Sequence, residues 1–272
     1  MTGEKSRVVE FQILAGALIV VPVELANGVK ARFALDTGAG IDVVSKRLAN
    51  ELSLPEEGTF TGKRMTGEEI TVGLTKVPSL SFAGSEKTDY LVGVTDIFDK
   101  LPKELGSVDG ALSMRFFADT QVKIDFPKSL VELGPKAIEG YVVPLKKLRQ
   151  KDLALGLLAP ITIDGRYGGE FEVDTGTTTT IAPLRAMETL GLSKDDKSLR
   201  KVEGVNETGV PFQRFYGKAK AVYASGQSET MVTDSPICFE EVIYDGVIGI
   251  DYLQNFSVIF DLRNSQMFLA AK

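Results

Sequence analysis

The tripeptide Asp-Thr-Gly occurs twice in this chain of 272 residues, at residues 36–38 and at residues 174–176. Each copy follows a short apolar run typical of a buried strand, FAL before Asp36 and FEV before Asp174. The two aspartates are 138 positions apart, close to half the chain length. A chain that repeats one strand-and-turn signal at this spacing is expected to fold as two similar halves.

Other signals recur around the two copies. A proline lies 14 residues before each aspartate, and a turn dipeptide lies between the two apolar runs that lead to each aspartate. An Asp-Gly followed by two apolar residues comes later in each half. The matched pairs are Pro22 and Pro160, Asn27-Gly28 and Asp164-Gly165, and Asp109-Gly110 and Asp245-Gly246. So many matches predict an internal duplication.

Most of the chain consists of short runs rich in Val, Ile, Phe and Thr, separated by Gly, Asn and Asp, which predicts an all-β fold. Two segments, KRLANELSL and PLRAMETLGL, predict short helices at equivalent places in the two halves. The Gly- and Pro-flanked stretch at residues 134–140 is the best candidate boundary. We therefore predict an N-terminal lobe over residues 1–138 and a C-terminal lobe over residues 139–272.

The composition limits the chemistry available to this chain. It has no histidine, which excludes Ser-His and Cys-His catalysis and histidine-ligated metal sites. The net charge is −6 and no dense basic run occurs, which argues against a nucleic-acid partner. The one cysteine, Cys238, allows no disulfide within the chain. Any catalysis must therefore use carboxylates, hydroxyls, lysines or backbone groups. No cofactor or metal is predicted.

The most apolar stretch, residues 13–23, is too short to span a bilayer, which takes about 20 apolar residues. We predict one buried strand here and no membrane span. The segment ahead of it is mixed in charge and does not match a signal peptide. The sequence does not decide the compartment. The protein would be secreted or periplasmic if a signal peptide has been removed, and cytoplasmic otherwise.

Two Asp-Thr-Gly turns in a duplicated chain predict a paired site. Duplicated halves pack about a pseudo-twofold axis, which brings equivalent loops together. Two carboxylates in contact share a proton, and their pKa values separate. One can then act as a base toward a water molecule while the other donates a proton to a carbonyl oxygen. Amide hydrolysis by Asp36 and Asp174 would need neither metal nor histidine.

These motifs resemble those of the aspartic peptidases of the pepsin and retropepsin type. The resemblance covers both halves, and its most specific element is the pairing of Asp-Thr-Gly with a later apolar-apolar-Gly, here residues 247–249. It implies a bilobal acid-protease fold with two homologous β-barrel-like lobes related by a pseudo-twofold axis. It also implies a peptide or protein substrate in the cleft between the lobes. The length of each half suggests a fused retropepsin dimer or a minimal pepsin, active as a monomer.

The resemblance assigns roles to single residues. Asp36 and Asp174 are the expected catalytic pair, supported in the active-site loops by Thr37, Gly38, Thr175, Gly176 and Thr177. β-Hairpin flaps are expected over the substrate, and two segments with glycines five apart fit them. The expected flap residues are Gly62, Met65, Gly67, Gly204 and Gly209. With few apolar residues to anchor them, both flaps are expected to be mobile.

This chain departs from the family pattern at two kinds of position. Ser113 stands where the first half should have the third-position glycine, and a side chain this small is expected to preserve the packing. The residue after Asp-Thr-Gly is Ala39 in the first half and Thr177 in the second. The Thr177 hydroxyl is expected to reach the carboxylate of Asp174 and lower its pKa. Asp36 would then be the member that carries the proton.

Two alternatives remain open on the sequence. A protein of this fold could bind peptides without cutting them. An Mg²⁺-dependent phosphatase with an aspartate nucleophile also places Asp and Thr at the end of a strand. Such an enzyme needs a second acidic residue beside the nucleophile and long helices, and neither is evident here.

Overall fold

The computed structural model describes residues 7–14, 16, 18–101, 106–151, 153–206 and 209–271. Strands make up 55% of the described residues and helices, including short 3-10 turns, 9%, which confirms the predicted all-β class. None of the helices in the described part of the chain has the length and apolar character that crossing a membrane requires.

The first half begins with strand β1 and ends with strand β11. Its helix α1 (Lys46–Glu51) directly follows β5. The strands are β1 (Arg7–Glu10), β2 (Gln12–Leu14), β3 (Leu18–Leu25), β4 (Val29–Leu35), β5 (Val43–Ser45), β6 (Gly58–Lys63), β7 (Glu69–Phe82), β8 (Ser85–Thr95), β9 (Gly110–Leu112), β10 (Val122–Asp125) and β11 (Leu130–Leu133).

The second half repeats this layout from β12 to β22. Its helices are α2 (Ala186–Leu190), after β16, and α3 (Ile250–Leu253), after β20. The strands are β12 (Tyr141–Pro144), β13 (Lys146–Gln150), β14 (Ala154–Ile163), β15 (Tyr167–Val173), β16 (Thr180–Pro183), β17 (Arg200–Val205), β18 (Pro211–Ala224), β19 (Val232–Glu240), β20 (Gly246–Ile248), β21 (Phe256–Asp261) and β22 (Gln266–Ala271).

Each half forms a lobe built on an eight-stranded sheet. The order is β2-β3-β4-β9-β5-β8-β7-β6 in the first lobe and β13-β14-β15-β20-β16-β19-β18-β17 in the second. Counted from the first strand of each sheet, the two orders are identical. A further pairing, β3 with β7 and β14 with β18, curls each sheet toward a barrel. This bilobal arrangement is the predicted fold.

A six-stranded sheet with the order β1-β11-β10-β21-β22-β12 joins the lobes. Three of its strands come from each half, and β10 pairs with its counterpart β21 antiparallel at the centre. The pseudo-twofold axis therefore passes between these two strands. The predicted boundary between residues 138 and 139 falls in the connection from β11 to β12 and stays a prediction.

The predicted turns and helices form for local reasons. Asn27 and Gly28 between β3 and β4 have φ of 60° and 74°, and Asp164 and Gly165 between β14 and β15 have φ of 53° and 64°. Asn, Asp and Gly tolerate this left-handed region better than other residues. Helix α1 begins where the N–H of Leu48 donates to the Ser45 side-chain oxygen at 3.1 Å.

The prediction of one buried strand over residues 13–23 is wrong. The run is divided between β2 and β3, which pair antiparallel with Gln12 opposite Val20. Gly16, with φ of 68°, lies in the connection, and Ala15 and Ala17 are outside the described residues. Only β3 is mostly buried, because β2 is the edge strand of the first-lobe sheet.

The core lies beneath the strands that lead to the two Asp-Thr-Gly turns. Phe33 and Leu35 on β4, and Phe171 and Val173 on β15, are fully buried. Burying such a side chain stabilises the fold by roughly 1.5–3 kcal/mol. The two turns therefore project from strands whose ends are fully buried.

Candidate active site

Backbone hydrogen bonds fix the position of both aspartates. β4 runs parallel to β9, and β15 runs parallel to β20. Just beyond the paired residues, the N–H of Asp36 donates to the carbonyl of Leu112 at 2.9 Å, and the N–H of Asp174 donates to the carbonyl of Ile248 at 3.0 Å. The later apolar segment of each half thus supports its own Asp-Thr-Gly turn.

The threonines of the two turns bind each other's strands. The Thr37 hydroxyl donates to the carbonyl of Val173 at 2.7 Å and accepts from the N–H of Thr175 at 2.9 Å. The Thr175 hydroxyl donates to the carbonyl of Leu35 at 2.7 Å and accepts from the N–H of Thr37 at 3.0 Å. Both threonines are fully buried. Four reciprocal bonds therefore lock the two loops together across the axis.

The two carboxylates are within hydrogen-bonding reach of each other. Asp36 Oδ1 accepts from the N–H groups of Gly38 at 3.0 Å and Ala39 at 2.9 Å. Asp174 Oδ1 accepts from the N–H of Gly176 at 2.7 Å. The structure thus brings the predicted loop residues together. Thr37 and Thr175 are buried, and the others line the floor of the cleft between the lobes: Asp36, Gly38, Asp174, Gly176 and Thr177.

Each glycine makes room for the opposite aspartate. A Cβ on Gly38 would lie 2.4 Å from Asp174 Cγ, and a Cβ on Gly176 would lie 2.8 Å from Asp36 Cγ. Real Cβ atoms do not approach other heavy atoms so closely. Each motif therefore needs glycine at its third position, because a larger residue would displace the aspartate of the other motif.

The surroundings raise the pKa of both aspartates. Burial raises the pKa of Asp36, but donation from Ala39, a hydrogen bond with Asp174 and donation from Gly38 oppose the rise. Burial and the negative charges of Asp36 and Glu172 hold the pKa of Asp174 well above its usual range. Two N–H groups donate to Asp36 and one donates to Asp174, which favours the charged form of Asp36.

The expectation that the Thr177 hydroxyl lowers the pKa of Asp174 is wrong. No hydrogen bond from the Thr177 hydroxyl to Asp174 occurs among the described residues. The N–H of Thr177 donates at 3.4 Å to the backbone carbonyl of Asp174, and the methyl group of Thr177 lies close to Gly249. Asp36 instead accepts a second N–H bond, from Ala39. Backbone N–H groups, and not the Thr177 hydroxyl, therefore make the difference between the two carboxylates.

Glu172 is a third carboxylate at the site and lies outside the two Asp-Thr-Gly motifs. It lies two residues before Asp174 on β15, lines the cleft and is 7% exposed. Burial and the negative charge of Asp36 raise its pKa to about 8. The sequence contains a signal for it: the run before Asp174 is FEV, with a glutamate where the run before Asp36, FAL, has an alanine.

Behind the loops, the two lobes use different polar pairs at equivalent places. In the first lobe, buried Asp42 accepts from the N–H of Ser113 at 2.7 Å and lies 3.5 Å from Arg115. In the second, Asp251 accepts from the N–H and the hydroxyl of Thr180 at 2.9 and 3.0 Å. Ser113 is fully buried, so a serine fits where glycine was expected.

The cleft has a volume of about 1340 Å³. The first hairpin consists of β6 and β7, with residues 64–68 at its tip, and covers one side of the Asp36–Asp174 pair (the dyad). Gly62, Met65 and Gly67 line the cleft there. The second hairpin, β17–β18, contains Gly204 and Gly209, which are not among the described lining residues. Residues 206 and 210–214 line the cleft instead, while Glu207 and Thr208 lie outside the described residues.

The first hairpin is anchored on the second lobe, contrary to the expectation that it has little apolar surface. Met65 packs against an apolar cluster on that lobe, and its carbonyl accepts from the N–H of Ile243 at 2.8 Å. At the same tip, Asn206 of the second hairpin donates to Glu68 at 3.1 Å. The members of the cluster are Ile181, Cys238, Val242 and Val247. The two hairpins thus close the cleft together.

Replacing Met65 with alanine is expected to increase the rate of amide hydrogen exchange over the first hairpin about fivefold or more. The substitution removes apolar burial worth on the order of 1 kcal/mol from the closed state. Hydrogen exchange followed by mass spectrometry measures this directly. Met231→Ala is the control, because Met231 is 44% exposed and lies outside the cleft. Equal exchange over residues 58–72 in both variants would show that Met65 does not hold the hairpin.

Residues 21–116 match the model of a family described as Aspartyl protease. The matched range runs from β3 through β9 and includes the first Asp-Thr-Gly. The match supports an aspartic peptidase. The second Asp-Thr-Gly lies beyond the matched range, and its assignment depends on the geometry given above. The chain matches no curated protein.

Proposed function

We propose that this protein is an aspartic endopeptidase in which Asp36 and Asp174 hydrolyse a peptide bond. The observation that carries the proposal is the contact between these two carboxylates at the floor of the cleft, in loops locked by Thr37 and Thr175. Two carboxylates so placed hold one proton between them. That arrangement supplies a base and an acid at the same point.

In the proposed reaction, the Asp36 carboxylate takes a proton from a water molecule as the water oxygen attacks the carbonyl carbon of the substrate. Asp174 gives its proton to the carbonyl oxygen, which yields a neutral tetrahedral diol. Asp36 then protonates the amide nitrogen, Asp174 takes back the hydroxyl proton, and the C–N bond breaks. The assignment of Asp36 as the base follows its two N–H donors, which favour its charged form, and the assignment of Asp174 as the acid follows its raised pKa.

The alternatives receive less support. The described helices have at most six residues, unlike the long helices expected of an Mg²⁺-dependent aspartate phosphatase. A peptide-binding protein without activity would not need a proton-sharing pair. Neither alternative has an observation that favours it.

The proposal is tested by incubating the protein with a mixed peptide library between about pH 3 and pH 8, the range in which such dyads titrate. Cleaved products are identified by mass spectrometry. A pepstatin-type inhibitor, which mimics the tetrahedral transition state, should abolish cleavage. Cleavage that resists the inhibitor, or no cleavage at any pH, would contradict the proposal.

Specific activity is expected to be independent of protein concentration, because both aspartates come from one chain. Activity assays over a thousandfold dilution series measure this. Analytical ultracentrifugation over the same range gives the oligomeric state. A specific activity that falls together with dissociation of a dimer would contradict a monomeric enzyme.

A further inference from the structure

Glu172 has no hydrogen-bond or ion-pair partner among the described residues, although it is nearly fully buried. Buried charged groups usually have such a partner, because an unpaired charge in a protein interior is costly. Glu172 lines the cleft beside the dyad, so its free side can meet a bound molecule. The missing partner therefore belongs on the side from which a substrate enters.

The fold does not require a carboxylate at this position. The equivalent residue of the first lobe, two positions before Asp36, is Ala34. It pairs in register with Ala111 of β9, just as Glu172 pairs with Val247 of β20. Ala34 packs in an apolar cluster that includes Val20 and Val108. A small apolar residue satisfies the same strand, so the carboxylate of Glu172 serves something other than packing.

The groups that face Glu172 are acidic or neutral. Asp36 and Asp174 interact with it through their charges, and Tyr244 lies close enough that burial and the charge of Glu172 raise the pKa of its phenol to about 12. Among the basic residues of the cleft, Arg214 lies 2.9 Å from Glu240, and none of the described lysines or arginines pairs with Glu172. A cation from outside would favour the ionised form of Glu172.

Resting on the proposed function, we propose that Glu172 makes this enzyme select substrates with a lysine or arginine side chain next to the bond that is cut. The position beside the dyad fixes the subsite as one adjacent to the scissile bond. The cationic side chain would form an ion pair with Glu172, and any proton on the carboxyl would be released to solvent. The lobe with Ala34 would accept an apolar side chain at the equivalent subsite.

The test uses sets of peptides that differ only in one residue flanking the scissile bond: lysine, norleucine or glutamine. Norleucine keeps the length of the lysine side chain and removes its charge. The wild-type protein is expected to prefer lysine over norleucine by about tenfold to a hundredfold in kcat/KM, at the flanking position that meets Glu172. Glu172→Gln should abolish this preference while still cleaving the norleucine peptide. Glu170→Gln is the control, because Glu170 lies on the same strand and does not line the cleft.

Three results would overturn the inference: no preference for lysine in the wild type, a preference for glutamine over lysine, or a lysine preference that survives in Glu172→Gln. If no peptide is cleaved, the proposed function fails, and binding of statine-containing peptides with lysine or norleucine at the same position decides the inference separately. Tighter binding of the lysine ligand that Glu172→Gln abolishes would support it. Equal binding, or no binding of either ligand, would reject it.

Discussion

Replacing either Asp36 or Asp174 with asparagine is expected to reduce kcat/KM for peptide cleavage by roughly a thousandfold or more. Each substitution removes one half of an acid–base pair that works as a unit. The double variant should therefore be scarcely worse than either single variant. Steady-state kinetics on one library-derived peptide measure all three. A single variant that keeps a tenth of wild-type activity would assign the chemistry to other residues.

The control for this experiment is Asp195→Asn, which makes the same chemical change at an exposed aspartate. Thermal unfolding shows whether the dyad variants remain folded.

Because the pKa of Asp174 is raised in the folded state, its ionisation destabilises the native protein as pH rises above the pKa of the unfolded chain, about 3.9. Asp174→Asn should thus raise the melting temperature at pH 7 and leave it nearly unchanged at pH 3, where the wild-type carboxyl is already neutral.

Gly38→Ala and Gly176→Ala are each expected to reduce activity by about a hundredfold or more, the usual cost of displacing a catalytic group by about 1 Å. The new methyl group would lie 2.4 Å from Asp174 Cγ in the first variant and 2.8 Å from Asp36 Cγ in the second. The opposite carboxylate must move, which breaks the contact between the two acids. Kinetics and a crystal structure of each variant measure both consequences.

Gly73→Ala is the matched control for the glycine variants. A Cβ at Gly73 would be 3.8 Å from Val94 Cβ, an ordinary van der Waals contact. This variant should keep near wild-type activity. If Gly38→Ala is as active as Gly73→Ala, the close approach of Asp174 to residue 38 is not needed for catalysis.

The similarity of the two lobes was predictable because the same local signals recur in both halves. Asn27-Gly28 and Asp164-Gly165 adopt the positive φ that such pairs tolerate, and the runs that end at Leu35 and Val173 form strands of seven residues. The division of residues 13–23 into β2 and β3 was not predictable in this way. Apolar content alone does not distinguish one long strand from a hairpin.

The two aspartates of the site were predictable from sequence, but the surroundings that shift their pKa values were not. These shifts depend on how many N–H groups reach each carboxylate and on the charge of Glu172, which acts through space. The attachment of Met65 to the second lobe was likewise not predictable, because its partners lie more than a hundred residues away in sequence. Contacts of this kind arise only from the packing of one lobe against the other.

The most direct test of the account is the titration of Asp36 and Asp174 by carbon NMR of protein labelled at the aspartate carboxyl groups. The two Asn variants assign the signals. A pair that shares a proton titrates in two separate steps, and Asp174 is expected to keep its proton well above the usual aspartate pKa of about 3.9. The pKa of Asp174 should fall in Asp36→Asn, because a neighbouring negative charge has been removed. If both signals titrate independently near the usual value, and neither changes when the other residue is replaced, the two carboxylates do not act as a pair.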